Sequence, residues 1–316
     1  MNRSQLIDSV REVLAKAGFY LSEKHDERGI SFDIIARRDN ILLIINVMVN
    51  ADSSRSENSR EMQILANALK GSALFVSFKG GQRPLERGVI YSRKGIPVVS
   101  LETMEDLFLE GIPPYVFSAP GGFFVSIDSD ILKKARNEKH ISLGTLAEIA
   151  GVSRKAIQKY EDGMGVDLDV ALRIEEFLGE DLIMPLNPLE YSKEEVENLE
   201  NLDLTDDFQR AVFQTLLNVG YDIVPTHRCP FEAITSDDDV VLLSGVHSRV
   251  TDDLQNKAKI VSNLSSVTEK RSVIFLDKIY TRTSIQGTPL IARRELLFME
   301  SKSDILELLK ERSKGE

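Results

Sequence analysis

Apolar residues near the start of the chain recur at helical spacing and then give way to continuous runs. The first set falls on one face and predicts a helix over 4–17; its members are Leu6, Val10, Val13, Leu14 and Ala17. Gly18 is typical of the position just after a helix. The apolar runs at 19–21, 30–36 and 41–49 predict three strands, with a hairpin turn at 38–40.

The pattern of the following residues predicts further helices and strands. They are a helix over 58–70, a buried strand over 73–78, short strands over 88–100 and a helix over 102–109. Pro113-Pro114 and Pro120-Gly121-Gly122 then predict a linker. Residues 1–118 are therefore predicted to form an α/β domain.

The rest of the chain divides into a helical stretch and a second α/β region. Helical spacing runs through 128–179, so residues 125–185 are predicted to form an all-α domain. Ser192 and Glu195 form a helix-start pattern within an acidic linker at 186–204. Strand and helix patterns return over 205–316 and predict a second α/β domain.

The second α/β region matches the first in the same order, which predicts a duplication. The matched segments are 6–19 with 208–221, 32–34 with 231–233, 64–67 with 260–263, 90–93 with 279–282, and 95–99 with 287–291. Two unrelated domains of generic α/β patterning are the alternative, but they explain the repeated Ile-Tyr-Ser/Thr-Arg less well. A duplication predicts that Gly18 superposes on Gly220 and Tyr91 on Tyr280.

One segment of the helical stretch has the residue types of two helices joined by a tight turn. Ser142 and Ser153 suit the first positions of the two helices. Gly151 permits the left-handed backbone that the turn requires. Ile157 and Tyr160 face the core on the second helix. Its other face carries long donor-rich side chains, namely Arg154, Lys155, Gln158 and Lys159.

This segment resembles the Cro/repressor (XRE-type) helix-turn-helix family. The family pattern is met by Leu146-Ala147, by Gly151-Val152-Ser153 and by Ile157-x-x-Tyr160-Glu161-x-Gly163, with matches to its outer helices at 132–136 and 169–179. The resemblance implies double-stranded DNA as the partner. The implied contact residues are Arg136, Ser142, Thr145, Ser153, Arg154, Lys155, Gln158 and Lys159. The order of domains also resembles a group of archaeal helix-turn-helix regulators of similar length.

Both flanking regions follow the order helix, three strands, helix, strand, and this order resembles the restriction-endonuclease-like (PD-(D/E)xK) fold. The predicted fold class is therefore a multidomain α+β protein, with an all-α helix-turn-helix domain between two α/β domains of this type. Nucleases of that fold hold Mg²⁺ with an acid on one strand and an acid-x-Lys pair on the next.

The residues for that metal chemistry are incomplete. Asp33 and Glu232 match the first acid, but the following strands, 44–48 and 242–246, contain no acid and no lysine. The sequence thus predicts two domains without nuclease activity. The four histidines and Cys229 show no zinc spacing, so no metal or other cofactor is predicted.

Charge bears on the DNA-binding hypothesis in two ways. The net charge of −11 opposes DNA binding by the chain as a whole, since phosphate contacts need Lys and Arg. The basic residues of the helical stretch, however, are concentrated over 133–159, and its acids mostly follow, which predicts a polarised domain. A second basic segment, 79–94, contains Glu86 as its one acid. It is either a loop that contacts DNA or a solvated loop.

The sequence therefore favours a transcriptional regulator that binds a specific operator as a homodimer. A nuclease or DNA-structure-binding protein targeted by the helix-turn-helix is one alternative, and an adaptor for protein contacts is another. The flanking domains would supply the dimer contact, a pocket for a small-molecule effector, or both. One cysteine, no apolar run of membrane-spanning length and a polar N-terminus predict a cytoplasmic protein with no membrane partner.

Overall fold

The computed structural model describes residues 2–24, 29–190, 206–248, 252–278 and 281–313. The chain is grouped into two compact units. Unit 1 comprises Met1–Val13, Met48–Ser53 and Leu74–Lys193, and unit 2 comprises Leu14–Val47, Ser54–Ala73 and Glu194–Glu316. The predicted Ser192–Glu195 helix start and most of the predicted acidic linker fall outside the described residues. Within the described ranges, no helix is both long and apolar enough to cross a membrane.

The first α/β region contains the predicted helices and most of the predicted strands. Its elements are α1 (Arg3–Lys16), β1 (Tyr20–Leu21), β2 (Ile34–Arg38), β3 (Ile41–Asn50), α2 (Ser56–Leu69), β4 (Ser72–Gly80), β5 (Arg83–Pro84), β6 (Val89–Arg93), β7 (Ile96–Val99) and α3 (Leu101–Glu105). The strand expected over 30–36 begins only at Ile34. Just before it, the Asp33 carboxylate accepts a hydrogen bond from the Val47 amide at 2.7 Å.

In unit 2, β1, β2 and β3 form an antiparallel meander. Ile34 pairs with Ile45, and Arg38 pairs with Ile41 across the predicted hairpin turn. Asp39 has a φ of 51° there, a conformation that Asp tolerates better than most residues. In unit 1, β4 and β7 are parallel, with Phe75 beside Val98, and β6 is antiparallel to β7.

The segment predicted as a linker forms a β-hairpin, so that prediction is wrong. Its strands are β8 (Val116–Ala119) and β9 (Gly122–Ile127), with Phe117 beside Phe124. The two rings stack with centroids 5.9 Å apart. Pro120 and Gly121 form a turn within a sheet here, and the mostly apolar residues on either side of them pair as strands. β8 also continues the sheet of unit 1 by pairing in parallel with β6.

The helix-turn-helix region follows in unit 1. Its elements are α4 (Ser129–Glu138), α5 (Leu143–Ala150), α6 (Arg154–Glu161), β10 (Val166–Asp167), α7 (Leu168–Leu178) and β11 (Ile183–Met184). The all-α expectation is corrected by β10 and β11, which both pair with β9. A Cβ at Gly165, just before β10, would lie 2.9 Å from the Phe117 ring, so a larger residue there would displace that ring.

The second α/β region lies in unit 2. Its elements are α8 (Asp207–Asn218), β12 (Asp222–Pro225), β13 (Ala233–Ser236), β14 (Val241–His247), α9 (Asp252–Thr268), β15 (Arg271–Leu276), β16 (Ser284–Ile285), β17 (Thr288–Ala292), α10 (Arg293–Leu296) and α11 (Lys302–Ser313). The sheet order is β12-β13-β14-β15-β17-β16, in which β14, β15 and β17 are mutually parallel.

The two α/β regions share local geometry as well as element order. The amides of Phe19 and Tyr221 donate 3.0 Å hydrogen bonds to the Leu14 and Leu216 carbonyls, and each amide follows a glycine with a positive φ. The repeated Ile-Tyr-Ser/Thr-Arg, however, is out of register. Ser92 pairs with Pro97, whereas the residue beside Pro289 is Ser284, three positions after the matched Thr281. Tyr280 itself lies outside the described residues.

Candidate nucleic-acid interface

The turn between α5 and α6 has the geometry that its residue types predicted. The Ser142 hydroxyl caps α5 by accepting the Thr145 amide at 3.0 Å. Gly151 ends α5 with a φ of 71°, so a side chain at this position would be strained. The following Val152 amide donates to the Ala147 carbonyl at 2.9 Å and closes the turn. Ser142 and Thr145 are exposed at the start of α5.

Helix α6 has one buried face and one exposed face. The Ser153 hydroxyl caps it through the Ala156 amide at 3.1 Å. Ile157 and Tyr160 are buried in the core formed by α4, α5, α6 and α7. The opposite face consists of exposed side chains, namely Arg154, Lys155, Gln158 and Lys159. We define these four residues as the recognition face.

The cations of the recognition face are available to an external anion. In the described part of the chain, Arg154, Lys155 and Lys159 make no ion pair. Two acids of the same region hold parts of its fold instead. Asp167 caps α7 through the Asp169 and Val170 amides, and Glu175 accepts the Leu182 amide at 2.6 Å.

Arg136 has a different environment from the other predicted contact residues. Its guanidinium forms a two-bond ion pair with Glu161, with Nε to Oε1 at 2.5 Å and NH2 to Oε2 at 3.1 Å. It also donates to the Ile141 carbonyl at 3.0 Å. The two side chains are 12% and 7% exposed. Hydrogen bonding to Glu161 raises the pKa of Arg136, and the ion pair joins α4 to α6.

The acids that resemble nuclease metal ligands are engaged by protein groups. Glu232 accepts the Val246 amide at 2.5 Å and pairs with the Lys257 ammonium at 2.5 Å. Lys257 donates a further hydrogen bond to the Val246 carbonyl at 3.0 Å. A bound ammonium on the acid opposes a second cation there. No group of three or more metal-ligating side chains occurs in the described ranges.

A buried carboxylate on α2 was missed by the sequence-based reasoning. Glu61 is 5% exposed and lies within unit 2. Its Oε1 accepts the His227 and Arg228 amides at 2.8 and 3.1 Å, and the Cys229 thiol at 3.4 Å. Glu61 therefore fixes the loop between β12 and β13. The signal in the sequence was an acid among the apolar positions of an amphipathic helix.

Replacing Glu61 by alanine should loosen this loop and activate Cys229. Burial and the Glu61 carboxylate hold the pKa of the Cys229 thiol well above its usual range, which suppresses the reactive thiolate. We expect Glu61→Ala to cost about 1–3 kcal/mol locally, because buried amides lose their acceptor. The rate of disulfide exchange of Cys229 with an aromatic disulfide reagent measures the effect.

A matched control is available on the same helix. Glu57 pairs with Arg228, but its side chain is 70% exposed. Glu57→Gln should leave the labelling rate of Cys229 within about twofold of the unmodified protein. Equal rates for Glu61→Ala and Glu57→Gln would show that the buried carboxylate does not hold the loop.

The geometry defines a helix-turn-helix protein with exposed cationic side chains on its second helix, and the comparisons with known proteins agree on the helix-turn-helix. Residues 132–183 match the family model described as helix-turn-helix, and residues 3–114 match the PD-(D/E)XK superfamily domain. No solved structure matches the chain.

Curated relatives match over nearly the whole chain. A protein of Methanosarcina acetivorans named "Putative HTH-type transcriptional regulatory protein" is 38% identical, and the alignment covers 99% of this chain and 98% of the relative. A relative from Halorubrum lacusprofundi is 35% identical over 100% and 99% of the two chains. One from Halobacterium salinarum is 36% identical over 99% and 98%. The chain therefore belongs to this family of archaeal HTH-type transcriptional regulatory proteins.

Proposed function

We propose that the chain regulates transcription by binding a specific DNA operator through the recognition face of α6. The observation that carries this proposal is the set of exposed donors on α6, whose cations have no carboxylate partner among the described residues. Arg154 has the forked donor geometry for a guanine edge, and Gln158 has the amide geometry for an adenine edge. Lys155 and Lys159 suit phosphate contacts.

Hydroxyl groups at two helix starts support the same assignment. Ser142 caps α5, Thr145 lies in its first turn, and Ser153 caps α6. Hydroxyls and backbone amides at helix starts are common partners of DNA phosphates. Phosphate contacts fix the register of a protein on the duplex, while base contacts read the sequence. Arg136 is left out of the proposed contact set, because Glu161 holds its guanidinium.

We infer that two copies bind one two-fold operator. A single short recognition helix reads few base pairs, and pairing two of them on a symmetric site increases both affinity and specificity. The expected separation of the recognition helices is about 34 Å, one turn of DNA. An operator of two inverted half-sites about ten base pairs apart is the corresponding feature of the DNA.

The domain organisation belongs to the same proposal. The helix-turn-helix domain occupies 125–185, between α/β domains at 1–118 and 205–316 that descend from one duplicated ancestor. One hydrogen bond in each region supports the duplication. The Asp33 carboxylate accepts from the Val47 amide, and the Glu232 carboxylate accepts from the Val246 amide, in both cases across 14 positions. The α/β domains then serve as scaffold, dimer contact or effector domain, and not as nucleases.

With Mg²⁺ or Mn²⁺ added, we expect the full chain to leave plasmid and linear DNA uncut. The strand after Asp33 offers Asn46 and Met48, and Glu232 is paired with Lys257, so neither domain presents a metal-binding acid pair. The measurement is a nicking and cleavage assay over a range of metal concentrations. Metal-dependent cutting that disappears in Asp33→Ala or Glu232→Ala protein would overturn the non-enzymatic assignment.

A further inference from the structure

A groove of about 400 Å³ lies in unit 1, beside the basic segment 79–94. Its walls come from the turn between β4 and β5, from β6 and from the β8–β9 hairpin. The lining side chains that matter for its chemistry are Arg83, Glu86, Tyr91, Arg93, Ser118 and Phe123. The volume falls in the range of small-molecule sites, about 300–1,000 Å³.

The basic residues of the segment have separate roles. Arg87 is not part of the groove lining, and Asp106 accepts its Nε at 2.7 Å. Arg93 lines the groove and is held by Asp52 at 2.7 Å and by the Ser92 carbonyl at 2.8 Å. Arg83 is exposed at the groove and has no carboxylate partner in the described part of the chain. One positioned guanidinium and one free guanidinium therefore border the same cavity.

The lining residues other than the arginines suit a planar group that carries hydroxyl or amino donors. The Tyr91 hydroxyl accepts the Glu86 amide at 3.1 Å, which fixes the ring beside the groove. Phe123 adds a second aromatic side chain, and Ser118 adds a hydroxyl. Guanidinium groups bind phosphate through paired donors, aromatic rings pack against planar rings, and the exposed Glu86 carboxylate accepts hydroxyl or amino donors.

We propose that this groove binds a phosphate-bearing ligand of mononucleotide size, either a free nucleotide or a nucleotide of bound DNA. The groove residues are separate from the recognition face, so ligand binding in the groove does not depend on the proposed function. Only an effect of the ligand on transcription rests on that function. The hairpin that forms one wall leads into the helix-turn-helix domain. Val125 of β9 pairs with Val166, Ile127 pairs with Ile183, and the Phe117 ring contacts Gly165.

Titration calorimetry of the full chain with AMP, GMP, CMP and UMP, in the absence of DNA, tests the site. If the ligand is a free nucleotide, we expect saturable binding of at least one of the four and weaker binding of inorganic phosphate. Arg83→Gln and Phe123→Leu should each weaken nucleotide binding at least tenfold. Arg60→Gln removes the same charge from an exposed position on α2 and should leave binding unchanged.

A measurement of DNA binding distinguishes the two possible sources of the phosphate. If DNA supplies it, Arg83→Gln weakens DNA binding and lowers the salt slope by about one, and the free nucleotides do not bind. If a free nucleotide supplies it, Arg83→Gln leaves DNA binding without nucleotide unchanged. The proposal is overturned if no nucleotide binds and Arg83→Gln also leaves DNA affinity unchanged. If Arg154→Ala protein loses DNA binding but still binds nucleotide, the result bears on the proposed role of the recognition face and leaves the groove proposal standing.

Discussion

Replacing Arg154, Lys155 and Gln158 together by alanine is expected to abolish operator binding while the protein stays folded. All three side chains are exposed, and the buried residues of α6 are untouched. Arg154→Ala alone should cost about 1–3 kcal/mol of specific binding if the guanidinium contacts a base. Fluorescence anisotropy with an operator fragment at fixed salt concentration measures the loss.

The matched control removes a positive charge elsewhere. Lys310 is exposed on α11, and Lys310→Ala should bind the operator like the unmodified protein. Circular dichroism checks that each variant remains folded. Unchanged operator affinity in the folded triple variant would show that α6 is not the element that reads the DNA sequence.

Glu161→Ala is expected to destabilise the helix-turn-helix domain by about 3 kcal/mol. The substitution leaves the Arg136 guanidinium buried with the Ile141 carbonyl as its remaining hydrogen-bond partner. An uncompensated buried charge costs far more than a surface ion pair contributes. Hydrogen exchange of the α4 and α6 amides in the full chain should accelerate by about a hundredfold if exchange follows local opening.

The control for this ion pair lies on the same helix as Arg136. Lys134 and Glu138 are exposed and 4.0 Å apart, so Lys134→Ala should change exchange by no more than about twofold. Equal exchange rates in Glu161→Ala and Lys134→Ala protein would show that the buried ion pair does not stabilise the helix-turn-helix domain. If Arg136→Ala instead lowered DNA affinity without changing exchange, Arg136 would be a direct DNA contact.

Elements with strong local signals could be predicted from the sequence. Helices α1 and α2 follow apolar periodicity, and the turn at Gly151 follows from a glycine between two serine caps. The exposed face of α6 was predicted in full, because every residue on it is polar and its apolar residues have helical spacing. Local chemistry alone determines these features.

Features that depend on distant partners could not be predicted. The sequence predicts a linker where the β8–β9 hairpin lies, since Pro and Gly mark both linkers and turns within sheets. The place of the hairpin in the sheet depends on β6, which is distant in sequence. The sequence predicts a DNA contact at Arg136 because its partner, Glu161, lies 25 positions away. The roles of Glu61 and Lys257 depend on contacts across 166 and 25 positions for the same reason.

Operator recognition by α6 is tested most directly by selecting bound fragments from a genomic DNA library with the full chain, and with the triple variant of Arg154, Lys155 and Gln158 in parallel. We expect the unmodified protein to enrich one motif of two inverted half-sites about ten base pairs apart, and the variant to enrich none. Enrichment of no motif by the unmodified protein, or of the same motif by both proteins, would contradict operator recognition by α6.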